Sequence, residues 1–188
     1  MKKTIAVLVC LLTVVSLCGC AAYQSERMFD KFIEGTVTAT DQQGGSISVD
    51  LLKDQAIPLF GGEYIFFDVT GDKIPELCVR TAQHLTLFTR NDDHLHCLRE
   101  LPATTTLLND GAILLVRSDA VLGTSEHTYV KLNKQGQDEQ TITFSADPVG
   151  NQYTYNGKTV TKEEYETATK DILASKIDQS EWTPLEKK

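Results

Sequence analysis

The chain has 188 residues and a formal net charge of −8 at pH 7. That length suits a single domain. An acidic surface is soluble and is repelled by nucleic acid and by anionic lipid headgroups, which argues against nucleic-acid binding.

At the start of the chain, Lys2 and Lys3 form a short positive region. An apolar run over residues 5–17 follows, broken only by Thr13 and Ser16. The run is too short to span a bilayer comfortably and is followed by small residues, so residues 1–19 read as a secretory signal. It ends Leu17-Cys18-Gly19-Cys20. This resembles the lipobox of bacterial lipoproteins: an aliphatic residue, two small ones, then cysteine. Cys18 departs from the Ala or Ser commoner there, but it is small. The resemblance implies diacylglyceryl attachment to the Cys20 sulfur, cleavage before that residue, and a lipid anchor in the cell membrane at its extracytoplasmic face. The alternative is an ordinary secretory signal cut nearby. Ala21 is not an acidic inner-membrane retention signal. Two or three acyl chains hold a protein on a bilayer far more firmly than one. Cleavage would leave a charge of about −10, with residues 20–24 as a lipidated tether.

Residues 25–33 predict a short helix, with Ser25 as N-cap and Gly35 just past the end. Met28, Phe29, Phe32 and Ile33 make one apolar stripe, which reads as a docking face. Strand signals then dominate. Residues 47–51 alternate strictly. Residues 64–69 and 77–81 flank a loop. Residues 85–89 and 95–101 are joined by Asn91-Asp92-Asp93. Residues 105–108 and 112–117 flank Asn109-Asp110-Gly111, a strong hairpin signal. Residues 129–132 and 141–144 flank a polar segment with Gly136, and residues 153–155 and 158–160 close on Asn156-Gly157. A terminal helix opens with Thr161 and Glu164 at capping-box spacing and acidic residues in its first turns. Tyr165, Ala168, Ile172, Leu173 and Ile177 share its apolar face. Residues 179–188 read as a polar tail in which Trp182 is either a stray surface ring or a plug against the sheet, the plug being the favoured reading.

Successive hairpins with short turns predict sequential antiparallel pairing. The expected fold is mainly β (α+β): an antiparallel β-meander, twisted or rolled, with a short N-terminal and a C-terminal helix packed on it. Residues 25–178 form the single β-rich domain. Cys10 and Cys18 leave with the leader and Cys20 carries lipid, so Cys78 and Cys97 remain. Outside the membrane they could pair. The predicted strands place one strand between them, a gap of about 9–10 Å, beyond disulfide reach. Two buried thiols are the favoured reading and a Cys78–Cys97 disulfide the alternative.

The loop is the part that most looks like a site. Oxygen side chains fall at Asp68, Thr70, Asp72 and Glu76, and Ile74 would lend its carbonyl. Calcium takes six to eight oxygens, and alternate residues of a tight turn can supply them. The pattern resembles the D-x-D-G-D-G-x-x-D/E-L loop of FG-GAP and VCBS-type repeats through Asp68, Gly71, Asp72, Glu76 and Leu77. That resemblance implies calcium as a cofactor. Two positions depart: Thr70 replaces an acid, and Lys73 replaces a glycine. Val79 gives no carboxylate at position twelve, so this is not an EF-hand. The alternative is architectural, with Asp68 capping backbone N–H groups and Lys73 standing in for a cation. More widely, Tyr64-Ile65-Phe66-Phe67-Asp68, residues 107–115 and residues 156–166 are similar to uncharacterised lipoproteins of anaerobic Gram-positive bacteria. That resemblance implies no activity.

Elsewhere, His94 and His96 share a strand face and would make half a zinc site, but only the fold could bring in His84 or His127. No G-x-S-x-G, H-E-x-x-H, P-loop or nucleotide fingerprint occurs. Asp92 and Asp93 read as turn formers, and Glu163 and Glu164 as the helix start. The expected function is a non-catalytic binding or structural module at the cell envelope, with an envelope protein or glycan as partner. A small extracytoplasmic hydrolase and an envelope assembly factor are the alternatives.

Overall fold

The computed structural model describes residues 20–55 and 62–185. The predicted leader and the last three residues of the predicted tail lie outside the described residues. The fold is mainly β, with two open sheets and helices on their outer faces.

Helix α1 spans residues 20–33. It begins earlier than Ser25, and the stretch expected as a tether is helical. Cys20, Ala21, Ala22, Tyr23 and Gln24 contain no breaker, and Ser25 is buried inside the helix rather than capping it. The end is as expected: Gly35 N–H donates to the Phe32 carbonyl and Thr36 N–H to the Lys31 carbonyl, both at 2.9 Å. These are the paired bonds of a Schellman stop.

The alternation at residues 47–51 misleads. Only Ser46–Ile47 is strand (β2, pairing with β1, Ala39–Thr40), and helix α2 follows over Val49–Asp54. Ser48 caps it, accepting from Leu51 N–H at 3.2 Å. Val49 and Leu52, three apart, bury together on the helical face.

The first sheet holds seven strands. Its centre is the meander β3 (Gly62–Phe67), β4 (Glu76–Arg80), β5 (His84–Asn91) and β6 (His94–Pro102), with β1 parallel to β6. The second sheet holds six: β7 (Thr106–Leu107), β8 (Ile113–Asp119), β9 (Thr124–Leu132), β10 (Asp138–Asp147), β11 (Gln152–Tyr155) and β12 (Lys158–Val160), each antiparallel to the next. Asn156 and Gly157 both take positive φ, 52° and 76°, as a type I′ turn requires.

The buried residues sort into three clusters that define four layers. Phe29 and Phe32 of α1 and Val49 and Leu52 of α2 pack on Leu77, Val79, Phe88 and Leu95 of the first sheet. Ile65, Cys78, Leu85 and Leu87 on its other face meet Ile113, Val130 and Leu132 of the second. Beyond that sheet, Leu114, Tyr129, Phe144 and Tyr153 pack on Tyr165 of helix α3, Lys162–Ala174. The capping box of α3 is formed by Thr161 and Glu164 as read from the sequence.

The tail extends the domain. After a 3-10 turn at Gln179–Glu181, Thr183–Leu185 forms strand β13, antiparallel to β3. Trp182 is buried in the inter-sheet core, with the Arg80 guanidinium 4.0 Å from its ring centre. The burial of Trp182 matches its reading as a plug, but the polar pattern of the tail concealed strand β13, because three residues suffice to cover the edge of β3.

Cys78 and Cys97 are both free and buried, which corrects the disulfide alternative. Strand β5 separates them, and they face opposite sides of the sheet. Cys78 lies in the inter-sheet core and Cys97 under the helices. Burial pushes the Cys97 thiol up to about 11 and raises Cys78 further above the ordinary thiol range.

Candidate functional site

The loop between β3 and β4 is held by its own carboxylates. Asp68 Oδ1 accepts from Gly71 N–H at 2.7 Å and Asp72 N–H at 3.2 Å, and its Oδ2 accepts from Lys73 N–H at 2.8 Å. Asp72 Oδ1 accepts from Ile74 N–H at 2.9 Å, and its Oδ2 lies 3.6 Å from Lys134 Nζ. Both aspartates thus close nested turns in which backbone dipoles and a lysine supply the positive field.

Glu76 turns inward and is 2% exposed. Its Oε2 accepts from Val69 N–H at 3.0 Å and its Oε1 from the Thr70 hydroxyl at 3.3 Å. Burial is the main cause that raises its pKa to about 7. The Val69 hydrogen bond opposes this, while Asp68 and Asp72 add repulsion. At neutral pH the carboxyl therefore sits near the midpoint of its titration.

The second sheet locks the loop from outside. The turn at residues 109–111 brings Gly111 so close that a Cβ there would lie 2.8 Å from the Asp68 carbonyl oxygen. Its neighbour Asp110 accepts from Ala112 N–H at 3.1 Å and from the Tyr129 hydroxyl at 2.6 Å, and lies 3.5 Å from Lys131 Nζ. Partial burial works against the charged carboxylate, but these three partners outweigh it and hold the pKa low. In the sequence Asp110 reads only as a turn former. The residue that could have signalled more is Tyr129, whose aromatic ring is buried and whose hydroxyl needs a partner.

These residues do not fit a calcium ion. The oxygens of Asp68 and Asp72 are directed at N–H groups or at Lys134, and those of Glu76 at Val69 N–H and the Thr70 hydroxyl. Lys73 holds the motif's glycine position at φ 70°. Among the described residues, no group of three or more His, Cys, Asp and Glu side chains is placed to hold a metal. The predicted ligand set Asp68, Thr70, Asp72, Ile74 and Glu76 is thus a structural loop that keeps its shape by hydrogen bonding.

The histidines stay apart in role. His94 is exposed and His96 half-buried on β6. His84 Nδ1 lies 3.2 Å from Glu100. His127 stacks on Phe144, ring centres 4.8 Å apart, and burial together with Lys176 lowers its pKa. Asp92 and Asp93 are exposed in the β5–β6 turn, and Glu163 and Glu164 are exposed at the start of α3.

Two clefts flank the outer half of β8. One, about 560 Å³, lies over the far end of the second sheet, where Arg117, Glu126, Ser145 and Thr154 form a cross-strand polar row. The other, about 490 Å³, lies between β6 and β8 and is lined in part by Leu101, Pro102, Leu115 and Val116. Neither lining includes a histidine or cysteine. The Ser145 and Thr154 hydroxyls bond each other at 2.7 Å.

No protein-family model matches the chain, and comparisons with curated proteins and with solved structures found no match.

Proposed function

We propose that the chain is a lipid-anchored lipoprotein displayed at the outer face of a cell membrane, where its β domain serves as a non-catalytic binding or structural module. The observation that carries this reading is the run Leu17-Cys18-Gly19-Cys20 after a basic start and an apolar stretch. Cys20 opens helix α1 and is exposed, so acylation there would not disturb the core. The non-catalytic part rests on the carboxylates. Those of the 68–76 loop are used in hydrogen bonds within the fold, and neither cleft is lined by a histidine or a cysteine.

The experiment is metabolic labelling of the full chain with radioactive palmitate. Label should enter the wild type and be absent from Cys20→Ser, which should also keep its leader. A wild type that takes up no label, or a Cys20→Ser variant labelled equally, overturns the anchor.

A further inference from the structure

The second sheet leaves one strand edge open. β7 covers only the start of β8, through the pairs Thr106–Leu114 and Leu107–Ile113. Among the described residues, nothing pairs with residues 115–119 on the side away from β9. Leu108 N–H donates to the Ala112 carbonyl at 2.9 Å, and Thr106 lies opposite Leu114. Even-numbered residues of β8 therefore aim their main-chain groups toward β7. By the same alternation, Val116 and Ser118 aim N–H and C=O at the open side. An edge of this kind is a template for another strand.

Three further features lie along it. Arg117 and Asp119 are opposite charges two residues apart, so both stand on one face. Just past Asp119 the turn carries Val121, 93% exposed, and Leu122, 62% exposed. Beside Leu115, at the other end, lies the cleft lined in part by Leu101, Pro102 and Val116.

We propose that this edge is a self-association surface, on which two copies of the chain pair β8 with β8, antiparallel, about a two-fold axis at Ser118. In that register Ser118 faces Ser118, and each Arg117 faces the other copy's Asp119. The exposed turn of one copy then reaches the Leu115 end of the other, bringing Val121 and Leu122 to the Leu101 and Pro102 cleft. The match is reciprocal, as a two-fold interface requires. Charge selects the register: an axis at Arg117 would set arginine against arginine, which opposite cross-strand positions disfavour. A second copy is the occupant that supplies strand, charge and apolar tip together.

All three core clusters are built from residues between Met28 and Leu185. The chain from residue 20 onward, with Cys20→Ser, therefore carries every core contact and can be tested in solution. Sedimentation equilibrium should show a reversible monomer–dimer system. Ser118→Pro should weaken it at least about tenfold. A proline is tolerated where the N–H points off the sheet, so the monomer's ladder to β9 stays intact. Should Ser118→Pro fail to fold by circular dichroism, Arg117→Glu carries the test, since it sets glutamate against Asp119. Val121→Ser with Leu122→Ser should also weaken the dimer, and Val149→Ser on the neighbouring turn should not. A wild type monomeric at every concentration overturns the proposal. So does a dimer undiminished by the folded edge variants. Loss of palmitate labelling would leave this result untouched, because the pairing needs no anchor.

Discussion

The loop at residues 68–76 and the paired turns at the far end of the second sheet use the same local chemistry. In the loop, Asp68 accepts N–H groups of Gly71, Asp72 and Lys73. At the tip, Asp119 accepts those of Val121 and Leu122, and Asp147 accepts that of Gly150. Only the surroundings differ. The loop is roofed by Gly111 and anchored by buried Glu76, whereas at the tip Val121 is 93% and Val149 86% exposed. An aspartate at the head of a turn therefore marks a turn. Whether the turn is a keystone or a free surface is decided by contacts distant in sequence.

The largest expected effect sets one substitution in both places. Gly111 has φ 83° and Gly123 φ 67°, so alanine strains the backbone at each. At Gly111 the added Cβ also meets the Asp68 carbonyl oxygen at 2.8 Å, while at Gly123 the nearest atom is Val149 Cγ2 at 4.0 Å. Gly111→Ala should cost roughly 2–4 kcal/mol in urea unfolding, and Gly123→Ala about 1 kcal/mol. Equal costs would mean that the roof over the loop is loose and the comparison fails.

The same contrast explains what could be read in advance. The meander, the Asn156-Gly157 turn and the Thr161 capping box were legible because each is set by residues a few positions apart. The alternation at residues 47–51 concealed a helix, because Ser48 as a cap and Val49 with Leu52 as a stripe fit that segment equally well. Strand β13 was hidden because its partner β3 lies more than a hundred residues away. At the site, the oxygen-bearing residues were visible, but their direction was not. Glu76 reads as a ligand in the sequence and lies in the fold as a buried carboxyl bonded to Val69 and Thr70.

That burial gives the loop a pH dependence. Glu76 is raised from 4.5 to about 7, so the folded state holds the proton more tightly than the unfolded chain. Its contribution is fully present below the unfolded value, falls as pH rises through the interval between the two, and is gone above about 7. Glu76→Gln keeps an acceptor for Val69 N–H and removes the titration. The wild type should lose about 2–3 kcal/mol relative to Glu76→Gln between pH 4.5 and pH 8. His127, whose pKa is lowered, tilts stability the other way on acidification. Its contribution is shared by both proteins and cancels in the difference. Parallel pH profiles from chemical denaturation would show that Glu76 is not desolvated.

The smallest effect concerns the backbone at the loop's centre. The tip fills its left-handed positions with residues suited to them, Gly123 at φ 67° and Asn151 at φ 51°, while the loop places Lys73 at φ 70°. A lysine there is strained by its Cβ, and glycine would release that strain at some cost in unfolded-state entropy. Lys73→Gly should therefore stabilise the protein by about 0.5–1 kcal/mol, whereas Asn151→Gly should be close to neutral. Lys73→Gly also brings the loop nearer to the FG-GAP pattern. With Asp68 and Asp72 still bonded to loop N–H groups, its melting midpoint should be the same in calcium and in chelator. A rise confined to calcium would mean that those bonds yield to a cation and that Lys73 alone kept one out.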